Sequence, residues 1–351
     1  MVDNITIYID NYITGRSSKR EWCQYVPKVK EGKKPLPKKY HYFRRRLYNN
    51  KRNSFLLLSL RYDDTKDIFR LRINGSVKKW YLNGNTLEDL TKPQYEDCIK
   101  TIAEKIATPY SELLNSRNTK IETGFTICLK AKFTDLLKNF VWYKNFERIE
   151  EDETTIYFRG EYYSFILYEK NIEIKSKNRT VKNDCIATEK PINFTKSYLR
   201  FEVKVNRICG VTFYKEKANT TNKVITNWNE IVQQIQTYFK DIEFLDLDVN
   251  IDNPENITFS ELKKYLIFIG IKFFGLEKVL ELFNKINTGT NKTKYRNEIF
   301  SLIRSFTPPN IVLREELLCE FESKINTLSY NKHNSYSYYN KEIKQIEDKL
   351  K

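Results

Sequence analysis

Histidine is nearly absent from this chain: His41 and His333 are the only two in 351 residues. A metal site would therefore draw on oxygen ligands, which suit Mg²⁺ or Mn²⁺ better than a soft metal. Six cysteines (Cys23, Cys98, Cys128, Cys185, Cys209, Cys319) are scattered without a CxxC pair. That spacing fits neither a zinc site nor a disulfide framework, and it reads as an intracellular, reduced protein. Ten glycines and nine prolines are too few for a collagenous or linker-dominated chain. No apolar run reaches the roughly 18 residues of a membrane span, the longest candidate being YLIFIGIKFFGL at 265–276. The N-terminal MVDNITIYIDNYI alternates like a first strand and lacks the charged-then-apolar layout of a signal peptide.

What is present is positive charge, and it is concentrated. Between Arg16 and Arg52 stand 14 basic and 2 acidic residues, so this segment holds +12 of the formal +16. Such an excess is the footprint of a polyanion partner, most commonly nucleic acid. Trp22, Tyr25, Tyr40, Tyr42, Phe43 and Tyr48 are interleaved with the charges, including Arg44, Arg45 and Arg46. Rings in that setting suit stacking on unpaired bases as well as contact with phosphates. A solubilising basic loop is the plainer alternative.

Alternation sorts the first 215 residues by strand face. Phe69, Leu71 and Ile73 oppose Arg70, Arg72 and Asn74. Ile121, Phe125, Ile127 and Leu129 oppose Glu122, Gly124 and Thr126. Leu199, Phe201, Val203 and Val205 oppose Arg200, Glu202 and Lys204, while Tyr163, Phe165 and Leu167 oppose Ser164, Tyr168 and Lys170. These strands read as one sheet with an apolar and a polar face. TTIYFRGEYYSFILYEK reads as a hairpin turning near Gly160. Two helical patterns are available to cover the apolar face, Ile99 to Leu113 and Phe133 to Val141. The fold class is accordingly α+β, a mostly antiparallel sheet with helices on one face.

From about residue 222 the pattern becomes helical, in TNWNEIVQQIQTYF, TFSELKKYLIFIGIKFF, LEKVLELFNKI, KYRNEIFSLIRSF and REELLCEFESKI. Thr258 and Glu261 form a capping box before the second. TPPN at 307–310 ends the fourth. The expected organisation is a domain over 1–215, a helical C-terminal domain over 222–330 and a polar tail over 331–351, with no internal repeat.

Four segments in this order carry a resemblance: RINGSVKKWYLNGNT (72–86), TKIETGFTI (119–127), Tyr168-Glu169-Lys170 ending in Glu173, and LRFEVKV (199–205). Together they resemble the rolling-circle replication initiators of filamentous phages and related plasmids, the gene II and gene X type of endonuclease. The resemblance implies a nickase-like fold over about 1–215 and a tyrosine that attacks one strand of origin DNA. It implies a 5′-phosphotyrosine and a free 3′ hydroxyl as primer. The cytoplasm of a bacterial host is the matching location, with host helicase and polymerase as further partners. One departure is that the broader class commonly uses a His-x-His metal pair, which this chain lacks.

On that resemblance Tyr168 is the candidate nucleophile. Lys170 would lower its pKa or contact the scissile phosphate. Glu122 and Glu202 are the leading ligands for Mg²⁺ or Mn²⁺, with Glu173 either a third ligand or the ion-pair partner of Lys170. Arg72, Lys78, Lys79 and Arg200 would hold flanking phosphates, and Asn85 would contact metal or base. Tyr162 and Tyr163 are second-choice nucleophiles, better read as packing or base stacking. Two other classes stay open: a non-catalytic origin-binding protein or repressor, and an RNA-binding module on an aromatic sheet, whose aromatic consensus the chain lacks.

Overall fold

The computed structural model describes residues 1–12, 22–25, 40–63, 68–129, 136–151, 154–174, 195–244, 258–286 and 311–329, together with 297, 299 and 301. Much of the basic segment, the TPPN turn, Cys185, His333 and the polar tail lie outside the described residues.

Ten strands form one sheet: β1 (Val2–Asp10), β2 (Cys23–Gln24), β3 (Tyr40–Tyr48), β4 (Phe55–Asp63), β5 (Ile68–Ser76), β6 (Arg117–Cys128), β8 (Glu147–Glu151), β9 (Thr155–Arg159), β10 (Tyr163–Glu169) and β11 (Tyr198–Val205). The order is β2-β3-β4-β5-β1-β6-β11-β10-β9-β8, and every adjacent pair runs antiparallel. A short ribbon pairs β7 (Phe140–Trp142) with β12 (Glu243–Phe244). Because side chains alternate along each strand, the pairing Leu58 to Ile73 to Ile7 continues an apolar layer, and Phe125 to Phe201 to Leu167 extends it. These residues are fully buried.

Helices cover that layer. α1 (Val77–Tyr81), α2 (Lys92–Lys105) and α3 (Tyr110–Asn115) follow β5. α2 starts at a Thr91 and Gln94 capping box with proline in its first turn. The expected helix over Ile99 to Leu113 is thus two helices, separated at Pro109, which stands outside the second as its N-cap. Of the second expected pattern, Phe133 lies outside the described residues; Leu136–Asn139 is a 3₁₀ turn, and Phe140 and Val141 enter β7, where both are buried.

The segment after residue 222 divides between two cores. Trp228–Lys240 and Ile311–Ser329 pack on the sheet, with Phe321 stacked 4.2 Å from Phe239 and edge-on 4.7 Å from Phe125. The Trp228 indole donates to the Leu328 carbonyl at 3.0 Å. Phe259–Phe274 and Leu276–Ile286 instead form a separate small cluster from Phe268, Ile271, Leu276 and Val279, joined by Val141 and Ile299. Among the described residues no helix is long and apolar enough to cross a membrane.

Candidate functional site

Tyr168 lies near the end of β10, directly across from Arg200 on β11, whose neighbour Glu202 pairs with Ile166. Cross-strand partners share a face, so the phenol and the carboxylate meet: Tyr168 Oη donates to Glu202 Oε1 at 3.1 Å. Gly124 on β6 makes this possible. A Cβ there would stand 2.2 Å from the Phe201 carbonyl and 3.1 Å from Glu202 Cγ, so any side chain would push β11 and its glutamate away.

Burial, and then the Glu202 charge, push the Tyr168 hydroxyl well above the usual phenol value. The Lys170 ammonium beside it does not bring it back to that value. The strand ends at Glu169 and Lys170 opens a helical turn at 170–174. Its Nζ is 3.4 Å from the phenol oxygen and is held more closely by Glu173, which also lies 3.8 Å from Lys79. Burial draws the Lys170 ammonium below its ordinary value, against the pull of Glu173. Glu173 therefore closes an ion pair, the second of the two roles open to it. Glu202 keeps a raised pKa because burial outweighs the neighbouring Arg200 guanidinium. A neutral phenol donating to a carboxylate of raised basicity has the arrangement of a nucleophile beside a general base.

Arg200 is not a phosphate clamp. It is wholly buried, giving Nε to Glu202 Oε1 at 3.0 Å, Nη2 to Asp3 Oδ2 at 2.9 Å, and Nη1 to Asp89 and to Thr126 Oγ1. Asp89 also accepts from the Thr126 amide at 2.9 Å and faces Lys78 at 3.3 Å and Lys324 at 3.0 Å. Lys78 is likewise buried, and desolvation with the nearby Arg200 pulls its pKa down to about 8. Burial alone would raise Asp3 and Asp89. For Asp3 the Arg200 guanidinium, and for Asp89 the Lys324 and Lys78 ammoniums, outweigh it and hold both carboxyls below the usual range. Lys78 and Arg200 are thus withdrawn from DNA contact, both held by the carboxylate of Asp89.

An open cleft of about 290 Å³ gathers Asp3, Asn4, Ser76, Lys79, Glu122, Tyr168, Glu173 and Glu202, with Thr155, Tyr157 and Ile166 on its far wall. Glu122 binds Lys120 at 2.8 Å and Lys204 at 3.4 Å. Ser76 caps α1, accepting from the Lys79 amide at 3.1 Å and donating to Asp3 at 2.6 Å, which sets Lys79 at the cleft mouth. Asn85, in the loop after α1, is not among the cleft residues. Sequence reasoning missed Asp3, Asn4 and Asp89. Asp3 and Asn4 stand at the start of an alternating strand, and Asp89 lies in a loop without periodicity.

Among the described residues no three His, Cys, Asp or Glu side chains converge to hold a metal ion. The donors that face the cleft are oxygens, Glu122 and Glu202 together with Asn4, whose buried Oδ1 has no hydrogen-bond partner and which pairs across from Glu122. Donors of that type fit a hard cation that keeps several waters.

Further along the same face Arg44, Arg46, Arg72 and Arg117 are exposed. Cross-strand pairing aligns Arg44, Ser59, Arg72, Tyr8 and Arg117 in one row, and Tyr42, Arg61, Arg70 and Asp10 in the next. Arg44 and Arg46 share this face; Arg45 points to the other, its guanidinium 5.5 Å from the Trp22 ring centroid and 3.5 Å from the Lys105 carbonyl. An antiparallel sheet that sets a tyrosine against carboxylates and continues into arginines is built to meet a polyanion, and a protein acting on nucleic acid is the class it defines. Residues 46–226, just over half of the chain, match the family described as the N-terminal region of the phage replication-associated protein, the gene II product. The chain belongs to that family and is a rolling-circle replication initiator of the filamentous-phage gene II type. Neither the curated proteins nor the solved structures gave a match. Asp3 and Lys324, both in the buried ionic cluster, lie outside the matched residues.

Proposed function

We propose that this initiator nicks one strand of origin DNA by direct attack of Tyr168. The phenol oxygen attacks the scissile phosphorus as its proton passes to Glu202. The new bond is P–O(Tyr) and the broken one is P–O3′; the departing 3′ oxygen takes a proton from water and remains as the primer hydroxyl. Arg200 orients Glu202, and Lys79 meets the phosphate. Mg²⁺ or Mn²⁺, held by Glu122, Asn4 and the second oxygen of Glu202, would supply charge neutralisation at the phosphoryl oxygens. The observation that carries the reading is the Tyr168 to Glu202 hydrogen bond at 3.1 Å on the wall of a cleft.

The second-choice tyrosines fit other roles. Tyr163 stacks on Tyr238 and meets Phe146 and Phe165 in the core, and Tyr162 lies where a Cβ on Gly210 would strike its ring. Tyr168→Phe keeps the ring and removes the nucleophile, so it should bind origin DNA like the parent and form no covalent adduct with a cleaved strand whose 5′ phosphate, the scissile one, carries the label. Tyr162→Phe and Tyr163→Phe should keep the adduct. An adduct on Tyr168→Phe places the nucleophile elsewhere. No adduct with the parent on supercoiled origin DNA and Mg²⁺ favours a non-catalytic origin binder.

A further inference from the structure

We propose that the open sheet face from β1 to β3 carries a single, unpaired DNA strand into the Tyr168 cleft, with Tyr8 as its stacking platform. The inference rests on the nicking reading above and adds the path and the state of the DNA.

Position comes first. β1 begins at the cleft, where Asn4 lines the wall, and reaches Tyr8 four residues later. At about 3.3 Å per residue that is about 13 Å along one strand. Tyr8 is half-buried, and guanidiniums approach its ring from both neighbouring strands, Arg72 at 5.9 Å and Arg117 at 5.6 Å from the centroid. Beyond Arg72 the sheet continues with alternating charge and ring. Arg61 lies 4.6 Å from the Tyr40 ring, and Tyr42 packs edge-on against both Tyr40 and Tyr25.

The chemistry favours unpaired bases. Duplex phosphates need only cations, whereas half-exposed rings between arginines offer stacking surface that a paired base cannot use. The cleft, at about 290 Å³, has room for part of one strand. The opposite flank is short and different. Tyr157 and Arg159 follow at once on β9, and the sheet then ends at β8, whose residues on this face include Glu147 and Glu151. A strand can therefore extend along the sheet in one direction only.

The test measures binding of the full chain to a 5′-labelled oligonucleotide spanning the nick site, unpaired or annealed to its complement, in EDTA to prevent cleavage. The parent should prefer the unpaired form. Tyr8→Ala should lose about 5- to 150-fold on unpaired DNA, the range for one stacked base, and change little on duplex; Tyr8→Phe should keep parental affinity. Lengthening the oligonucleotide on one flank should raise affinity step by step, while the other flank stops gaining as soon as the sheet edge is reached. Equal gains on both flanks, or a Tyr8→Ala protein that melts like the parent and binds unpaired DNA as tightly, overturn the proposal; preference for duplex assigns the face to paired DNA instead. The two readings separate cleanly. Adduct formation with unchanged Tyr8→Ala binding leaves nicking and removes the track, and the converse leaves the track and removes nicking.

Discussion

Arg200 on β11 and Arg72 on β5 stand on the same face of one sheet, three strands apart, in opposite surroundings. Arg200 is inaccessible and shared among Asp3, Asp89 and Glu202. Arg72 is exposed, and it faces an aromatic ring. The difference comes from the carboxylates within reach. After β5 the chain turns through α1 and returns through Asp89, whose carboxylate takes the Thr126 amide beside β6 and meets both Arg200 and Lys78. Arg72 has a ring beside it and, among the described residues, no carboxylate. A buried cation requires matched anions, while an exposed one remains available to a ligand. The same residue type therefore serves site architecture at one end and stays open to a polyanion at the other.

The largest consequence falls on stability at the buried end. Asp89 is the shared counter-charge of Arg200, Lys78 and Lys324 and accepts the Thr126 amide. Asp89→Asn removes the carboxylate that Lys78 and Lys324 share and one of the three around Arg200, and should cost about 3–5 kcal/mol in urea unfolding. Arg72→Gln should stay within about 0.5 kcal/mol of the parent. Equal unfolding midpoints for the two variants would break the comparison.

Acid sharpens the same contrast. Asp3 and Asp89 have native pKa values below their unfolded ones, so the unfolded chain takes up protons first as pH falls. Their contribution is complete above the unfolded value of about 4 and is lost as pH drops towards the depressed native values. Unfolding midpoints should start to fall below about pH 5 in the parent and keep falling towards the depressed native values. The part of that fall due to Asp89 should be missing from Asp89→Asn, whereas Arg72→Gln should follow the parent.

The smallest expected effect separates adjacent arginines on β3. Arg44 and Arg46 share the open face, and Arg45 faces the α2 side. Arg44→Gln with Arg46→Gln should flatten the log–log salt dependence of unpaired-DNA binding by about 1.4, at about 0.7 per lost phosphate contact. Arg45→Gln should leave the slope unchanged. A slope that responds equally to all three would mean that the strand edge, rather than the face, meets DNA.

Period-two alternation identified β1, β5, β6, β10 and β11 from sequence, because a strand with one buried face must repeat every two residues. It also put Tyr168, Glu122 and Glu202 on one side, and their convergence on a single cleft follows from that alternation once the strands are neighbours. The order of neighbours is a different matter. Nothing local in Asp3 or Asp89 marks them as partners of Arg200, since the sequence separations are 197 and 111 residues. Nor does a lysine in a helical repeat, such as Lys324, reveal that its helix packs beneath β6 and reaches Asp89. The run Arg44-Arg45-Arg46 declares its charge in one dimension, but pleating sends its middle member to the opposite face. Composition and periodicity thus determined charge and strand faces, and the ordered motifs, through the family they resemble, pointed to the candidate tyrosine; all of these depend on residues near one another in the chain. Which cations are buried and which remain open was decided by where the chain brings distant carboxylates to the sheet, because desolvation and ion pairing depend on through-space neighbours that local pattern does not encode.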